Sequence, residues 1–101
     1  MAMRHSIGLL LAVALGASGI VSAQDAQLRL LAANCANCHG TDGRSQSGMP
    51  MLAGLDRAYF VQQMQDFKSG KRPATIMHQL AKGYTDAEVE ALAMHFSSIK
   101  R

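Results

Sequence analysis

The chain has 101 residues, with ten Lys and Arg against seven Asp and Glu, a formal charge of +3, and 49% apolar but only 5% aromatic residues, with no tryptophan. That length holds one folded unit, and so small a charge excess gives little ground for an anionic partner such as nucleic acid. Repeats, low-complexity tracts, linkers and alternating period-2 segments are absent, which excludes a solenoid or a sheet and leaves an all-α protein.

Residues 1–23 read as a secretory signal peptide. Arg4 and His5 lie near the start, an apolar run extends from Ile7 to Val21, and Val21-Ser22-Ala23 puts small residues at a cleavage position. A retained anchor needs about 20 apolar residues to span a bilayer, and this run is shorter. Cleavage after Ala23 is therefore expected, leaving one domain at 24–101 in the periplasm with no membrane span. The loss of Arg4 leaves nine basic residues against seven acidic ones. Nucleic-acid binding is not expected of such an exported domain. Its size is near the limit at which a side-chain core alone gives only marginal stability.

The first helix is expected from about Asp25 to Asn37, with Leu28, Leu31 and Ala32 along one face. It carries Cys35-Ala36-Asn37-Cys38-His39, a C-x-x-C-H run, which behind a secretory leader marks covalent haem attachment. Two cysteines three apart on a helical turn point the same way, so both thiols can add to the two vinyl groups of one haem. His39 follows directly, with one ring nitrogen for the iron and the other fixed by a hydrogen bond. Other uses of these residues fit less well. A dithiol redox pair wants a βαβ context. A zinc site lacks a fourth ligand at finger-like spacing, His78 being far downstream. A structural disulfide would close only a tiny loop and leave His39 unexplained. A haem is also a large apolar body around which short helices can pack, and its two propionates would bring the net charge near zero.

A loop rich in Gly, Ser and Thr runs from Gly40 to Gly48, followed by Met49-Pro50-Met51-Leu52-Ala53-Gly54. The second helix is expected to start behind Asp56 as N-cap, to place Phe60, Met64 and Phe67 on one face, and to stop at Gly70. A short third helix is expected over about Ala74 to Lys82, between Pro73 and Gly83. The last opens with a capping-box pattern at Thr85 and Glu88, and Val89, Leu92, Phe96 and Ile99 form its buried stripe.

With CANCHG at Cys35 to Gly40, PMLAG at Pro50 to Gly54, YFVQQMQDFKSGKR at Tyr59 to Arg72, TIM at Thr75 to Met77 and AKGYTDAEVEALAMHF at Ala81 to Phe96, the chain resembles a small bacterial class I cytochrome c. The stretch from Thr75 to Phe96 is similar to the cytochrome subunit of flavocytochrome c sulfide dehydrogenases and to the haem domains of tandem two-haem cytochromes. This chain has a single C-x-x-C-H. The resemblance implies the class I cytochrome c fold, about four short helices around one haem c. It also implies that the carbonyl of Pro50 accepts the imidazole proton of His39, with a methionine on the opposite face of the ring.

Five methionines follow residue 23. Met64 shares a face with Phe60 and Phe67 and reads as core. Met94 lies off the Leu92 and Phe96 stripe, and Met49 and Met51 flank Pro50. Met77 remains, at the position where the family pattern has its thioether ligand; His78 and His95 are its rivals. A His39/Met77 pair fills both axial positions and raises the reduction potential, which describes an electron carrier rather than an enzyme. The alternatives are a free respiratory shuttle, an electron-accepting subunit of a flavoprotein sulfide dehydrogenase, and a peroxidase-like catalyst or gas binder with an open sixth position. The last lacks a distal acid or arginine at the iron. Lys68, Lys71, Arg72 and Lys82 flank Met77 as a basic rim for docking or as ordinary solvated charges.

Overall fold

The computed structural model describes Gly8 and residues 22–101, and among these the fold is helical with no strand. The expected leader at 1–23 lies, apart from Gly8, Ser22 and Ala23, outside the described residues. Four helices follow in order: α1 Ala23–His39, α2 Arg57–Ser69, α3 Met77–Leu80 and α4 Asp86–Ser97, with short 3₁₀ turns at Thr41–Gly43 and Ala81–Gly83.

Local chemistry sets most helix ends. The Ser22 hydroxyl accepts from the Asp25 N–H at 3.2 Å, so α1 begins two residues before its expected start. The Asp56 carboxylate accepts from the Tyr59 N–H at 3.0 Å, and Gly70 ends α2 in the left-handed region at φ 78°. Thr85 and Glu88 form both bonds of the capping box, at 2.9 and 3.1 Å.

The third helix departs from expectation. It starts at Met77 and not near Ala74, and from Ala81 it continues as a 3₁₀ turn. No side chain caps it, and its entry residue Ile76 is non-helical at φ −136°. Two β-branched residues, Thr75 and Ile76, directly behind Pro73 and Ala74, disfavour helix there and leave 73–76 as irregular chain.

The core forms where α2 and α1 pack against α4. Its buried apolar members are Ala32, Phe60, Met64, Ala81, Val89, Leu92, Ala93 and Phe96, with Leu28, Leu31 and Phe67 packed partly buried against them. The Phe60 and Phe96 rings stack at 5.9 Å. Ile99, expected in the stripe of α4, lies beyond the helix end and is half-buried, its N–H donating to the Phe96 carbonyl at 3.2 Å.

The loop after α1 is bound to α4. The Gly43 carbonyl accepts from Leu52 and Ala53, and the Gly54 N–H donates to the Phe96 carbonyl at 2.8 Å. Gly43 has φ 74°, and a Cβ there would lie 2.8 Å from Leu52 and 3.0 Å from the Phe96 ring. Only glycine allows this approach.

Candidate functional site

The last turns of α1 carry three residues of the C-x-x-C-H run to one wall of a cavity of about 400 Å³. Cys35, Cys38 and His39 all line it. The two sulfurs are not bridged to each other; Cys35 is half-buried and Cys38 exposed. The Cys35 thiol donates to the Leu31 carbonyl at 3.7 Å, and burial pushes its pKa up, with a hydrogen bond to Tyr84 acting the other way. Burial likewise raises the Tyr84 phenol, with the neighbouring Cys35 adding to the shift.

His39 is 7% exposed, and its Nδ1 lies 2.7 Å from the Pro50 carbonyl oxygen. A carbonyl only accepts, so Nδ1 carries the proton and Nε2 keeps its lone pair for a metal. Helix α1 ends at once behind it. Gly40 sits at φ 87°, where a Cβ would come within 2.6 Å of the Arg44 carbonyl oxygen. The glycine after the histidine thus turns the loop back toward Pro50, a role that the motif spacing alone did not explain.

The other walls come from the Pro50 to Leu55 stretch, from Phe60, Met64 and Phe67 on α2, and from the irregular 73–76 segment running into Met77 and Leu80. Met77 is half-buried and lines the cavity. Of the five methionines only Met94 does not line it: it is 54% exposed, in a separate groove with Leu28. Met64 is core, as its helical face predicted, yet it also reaches the cavity. Neither rival histidine lines it. His78 turns away from Met77, its buried Nδ1 without a hydrogen-bond partner among the described residues, and His95 packs edge-on to Phe96 at 5.0 Å.

The four basic residues expected as a docking rim or as solvated charges differ in their surroundings. Lys71 and Lys82 are exposed, Lys68 is half-buried with its Nζ donating to the Tyr84 carbonyl, and Arg72 lines the cavity. Arg72, Gln63 and Tyr84 are wall residues that periodicity did not identify. No described helix is long and apolar enough to cross a membrane.

This donor set suits a haem. A mostly apolar cavity holds two unbridged thiols, an imidazole with its tautomer fixed, and a thioether on another wall.

The cytochrome c family model matches residues 27–100. The chain is 40% identical over 72 residues to the cytochrome subunit of sulfide dehydrogenase of Chlorobaculum tepidum, covering 71% of this chain and 66% of that protein. It is 44% identical over 61 residues to the thiosulfate dehydrogenase electron acceptor of Stutzerimonas stutzeri, covering 58% of this chain and 28% of that one. The solved structure of cytochrome c4 from Acidithiobacillus ferrooxidans superposes with a TM-score of 0.66 at 34% identity, over 82% of this chain and 54% of that chain. The chain thus spans from about a quarter to about two thirds of the length of these relatives.

Proposed function

The chain belongs to the cytochrome c family, whose members hold covalently bound haem c, and from that premise we propose that it is a periplasmic one-electron carrier with His39 and Met77 as axial ligands. Haem c supplies the ferrous/ferric couple when bound. Cys35 and Cys38 would tether it through thioether bonds, the Pro50 carbonyl holds the His39 ring in the tautomer that leaves Nε2 free, and the apolar walls would exclude water. The observation that carries this reading is the 2.7 Å bond from His39 to Pro50 at the wall shared with both thiols.

Met77 is favoured over the other three cavity methionines by position. Met49 and Met51 adjoin Pro50, on the side that His39 occupies, and Met64 sits between Phe60 and Phe67 in the core. With His39 and Met77 both held to the iron, it would have no position left for a small substrate, and the group would supply one-electron transfer alone. Residues 1–23 serve as the leader that delivers the chain to the periplasm.

The partner we propose is a flavoprotein sulfide dehydrogenase, as the likeness to the Chlorobaculum tepidum subunit suggests. That partner would oxidise sulfide, and this chain would take the electrons one at a time. The test mixes the purified holoprotein with sulfide alone and then with the cognate flavoprotein. Reduction much faster with the flavoprotein supports the pairing; equal rates leave a free shuttle. Turnover of sulfide or peroxide by the haem protein alone would overturn the carrier reading.

A further inference from the structure

The loop that carries Pro50 to His39 is tied by one side chain to the stretch that follows α4. Arg44 Nε donates to the Lys100 carbonyl at 2.8 Å, across 56 positions of sequence, and its Nη1 donates to the Asp42 carboxylate at 3.3 Å. Asp42 is the one non-glycine residue at positive φ among the described residues, at 55°. A side chain is strained in that region, and aspartate bears the strain best because its short polar group can bond locally. Here its local partner is Arg44.

From Arg44 the contacts run unbroken to the imidazole. The Arg44 N–H donates to the Thr41 carbonyl at 2.9 Å and the Gly43 N–H to the Gly40 carbonyl at 2.8 Å, which closes the turn directly behind His39. The Gly43 carbonyl accepts from Leu52 at 2.9 Å and from Ala53 at 3.1 Å, two and three positions past Pro50. Pro50 in turn accepts the His39 Nδ1–H at 2.7 Å. The far end of the loop has its own tether, from the Gly54 N–H to the Phe96 carbonyl at 2.8 Å, so Arg44 and Gly54 fix the loop on either side of Pro50. The Arg44 side chain is 45% exposed, and an exposed charged contact adds little to stability. Its contribution is position.

We propose that Arg44 is a positioning residue for the His39 ring: its clasp on the Lys100 carbonyl, with Asp42 orienting the guanidinium, keeps the Pro50 carbonyl within reach of Nδ1. This rests on the reading of His39 as a haem ligand. A firmly held Nδ1–H···O bond makes the imidazole a more basic ligand and favours the more positive, ferric iron, so slackening the clasp raises the midpoint potential.

The test uses holoprotein matured with a haem-ligation system and compares wild type with Arg44→Met, Arg44→Lys and Asp42→Gly. Thr85→Ala, which weakens the cap of α4 and touches no loop residue, is the control for a loss of stability alone. Two quantities are read: the midpoint potential, and the exchange rate of the His39 ring Nδ1–H in reduced, isotope-labelled protein. Arg44→Met should raise the potential and speed the exchange several-fold. Arg44→Lys keeps a donor for the Lys100 carbonyl and should recover part of both. Asp42→Gly relieves the strained φ while releasing the guanidinium, and should move both quantities in the same direction by less; it decides the matter if Arg44→Met does not mature. Wild-type potential and exchange in mature Arg44→Met, or in Asp42→Gly where Arg44→Met is not obtained, would overturn the assignment, as would equal shifts in Thr85→Ala. Wild type without covalent haem, or with a spectrum indifferent to His39→Ala, overturns the ligand reading of His39 instead, and either result is visible before the Arg44 variants are compared.

Discussion

The Nδ1–H of His39 donates to the Pro50 carbonyl at 2.7 Å, so a loop residue eleven positions downstream fixes the tautomer of the imidazole. The acceptor is main chain, and the identity of residue 50 matters for loop stiffness rather than for the bond.

Pro50→Ala should therefore leave the haem spectrum unchanged while lowering stability by about 0.4–1 kcal/mol, because the unfolded loop gains freedom. Guanidinium unfolding of the holoprotein measures the second effect. His39→Ala, in contrast, should alter the spectrum strongly, since it removes the proposed ligand.

Met77→Ala should open the sixth position. The oxidised variant is expected to lose the weak far-red band of sulfur-ligated ferric haem, to bind carbon monoxide when reduced, and to show a lower potential. Met94→Ala, in the separate groove, should change none of these. An unaltered Met77→Ala spectrum would move the search to Met49, Met51 and Met64, the other thioethers at the cavity.

Gly43→Ala should destabilise the protein by about 2–4 kcal/mol, combining the strain of a left-handed residue with overpacking against Leu52 and the Phe96 ring. Gly48→Ala, where a Cβ meets nothing within 4 Å, is the control and should stay close to wild type in thermal melts.

Thr85→Ala removes the hydroxyl that accepts from the Glu88 N–H and should cost about 1 kcal/mol. The potential should not move, since Thr85 does not line the cavity.

Lys71→Glu and Lys82→Glu test the docking face. Both side chains are exposed, and their reversal should slow reduction by the cognate flavoprotein several-fold at low salt with the potential unchanged; added salt should shrink the difference from wild type. Lys68→Glu is unsuited to this purpose, because Lys68 binds the Tyr84 carbonyl and lies 3.7 Å from Asp86, so its loss disturbs the start of α4.

Features governed by neighbours a few positions apart were legible in the sequence by itself: the caps at Asp56 and Thr85, the glycine stop at Gly70, and the buried faces of α2 and α4. A cap or a helical stripe is a short-range event, and three or four residues suffice to specify it. The tertiary structure decided what lies opposite each face. Periodicity marks Met64 as buried but not that it also borders a cavity, and only the packed structure puts Met77 at that cavity and Met94 in another groove. Composition places Arg72 among four basic neighbours, whereas the turn after Gly70 lays its guanidinium on Phe67 within the cavity wall and leaves Lys71 in solvent. The contact of Gly43 with the Phe96 ring likewise depends on chain segments that meet only after the helices have packed.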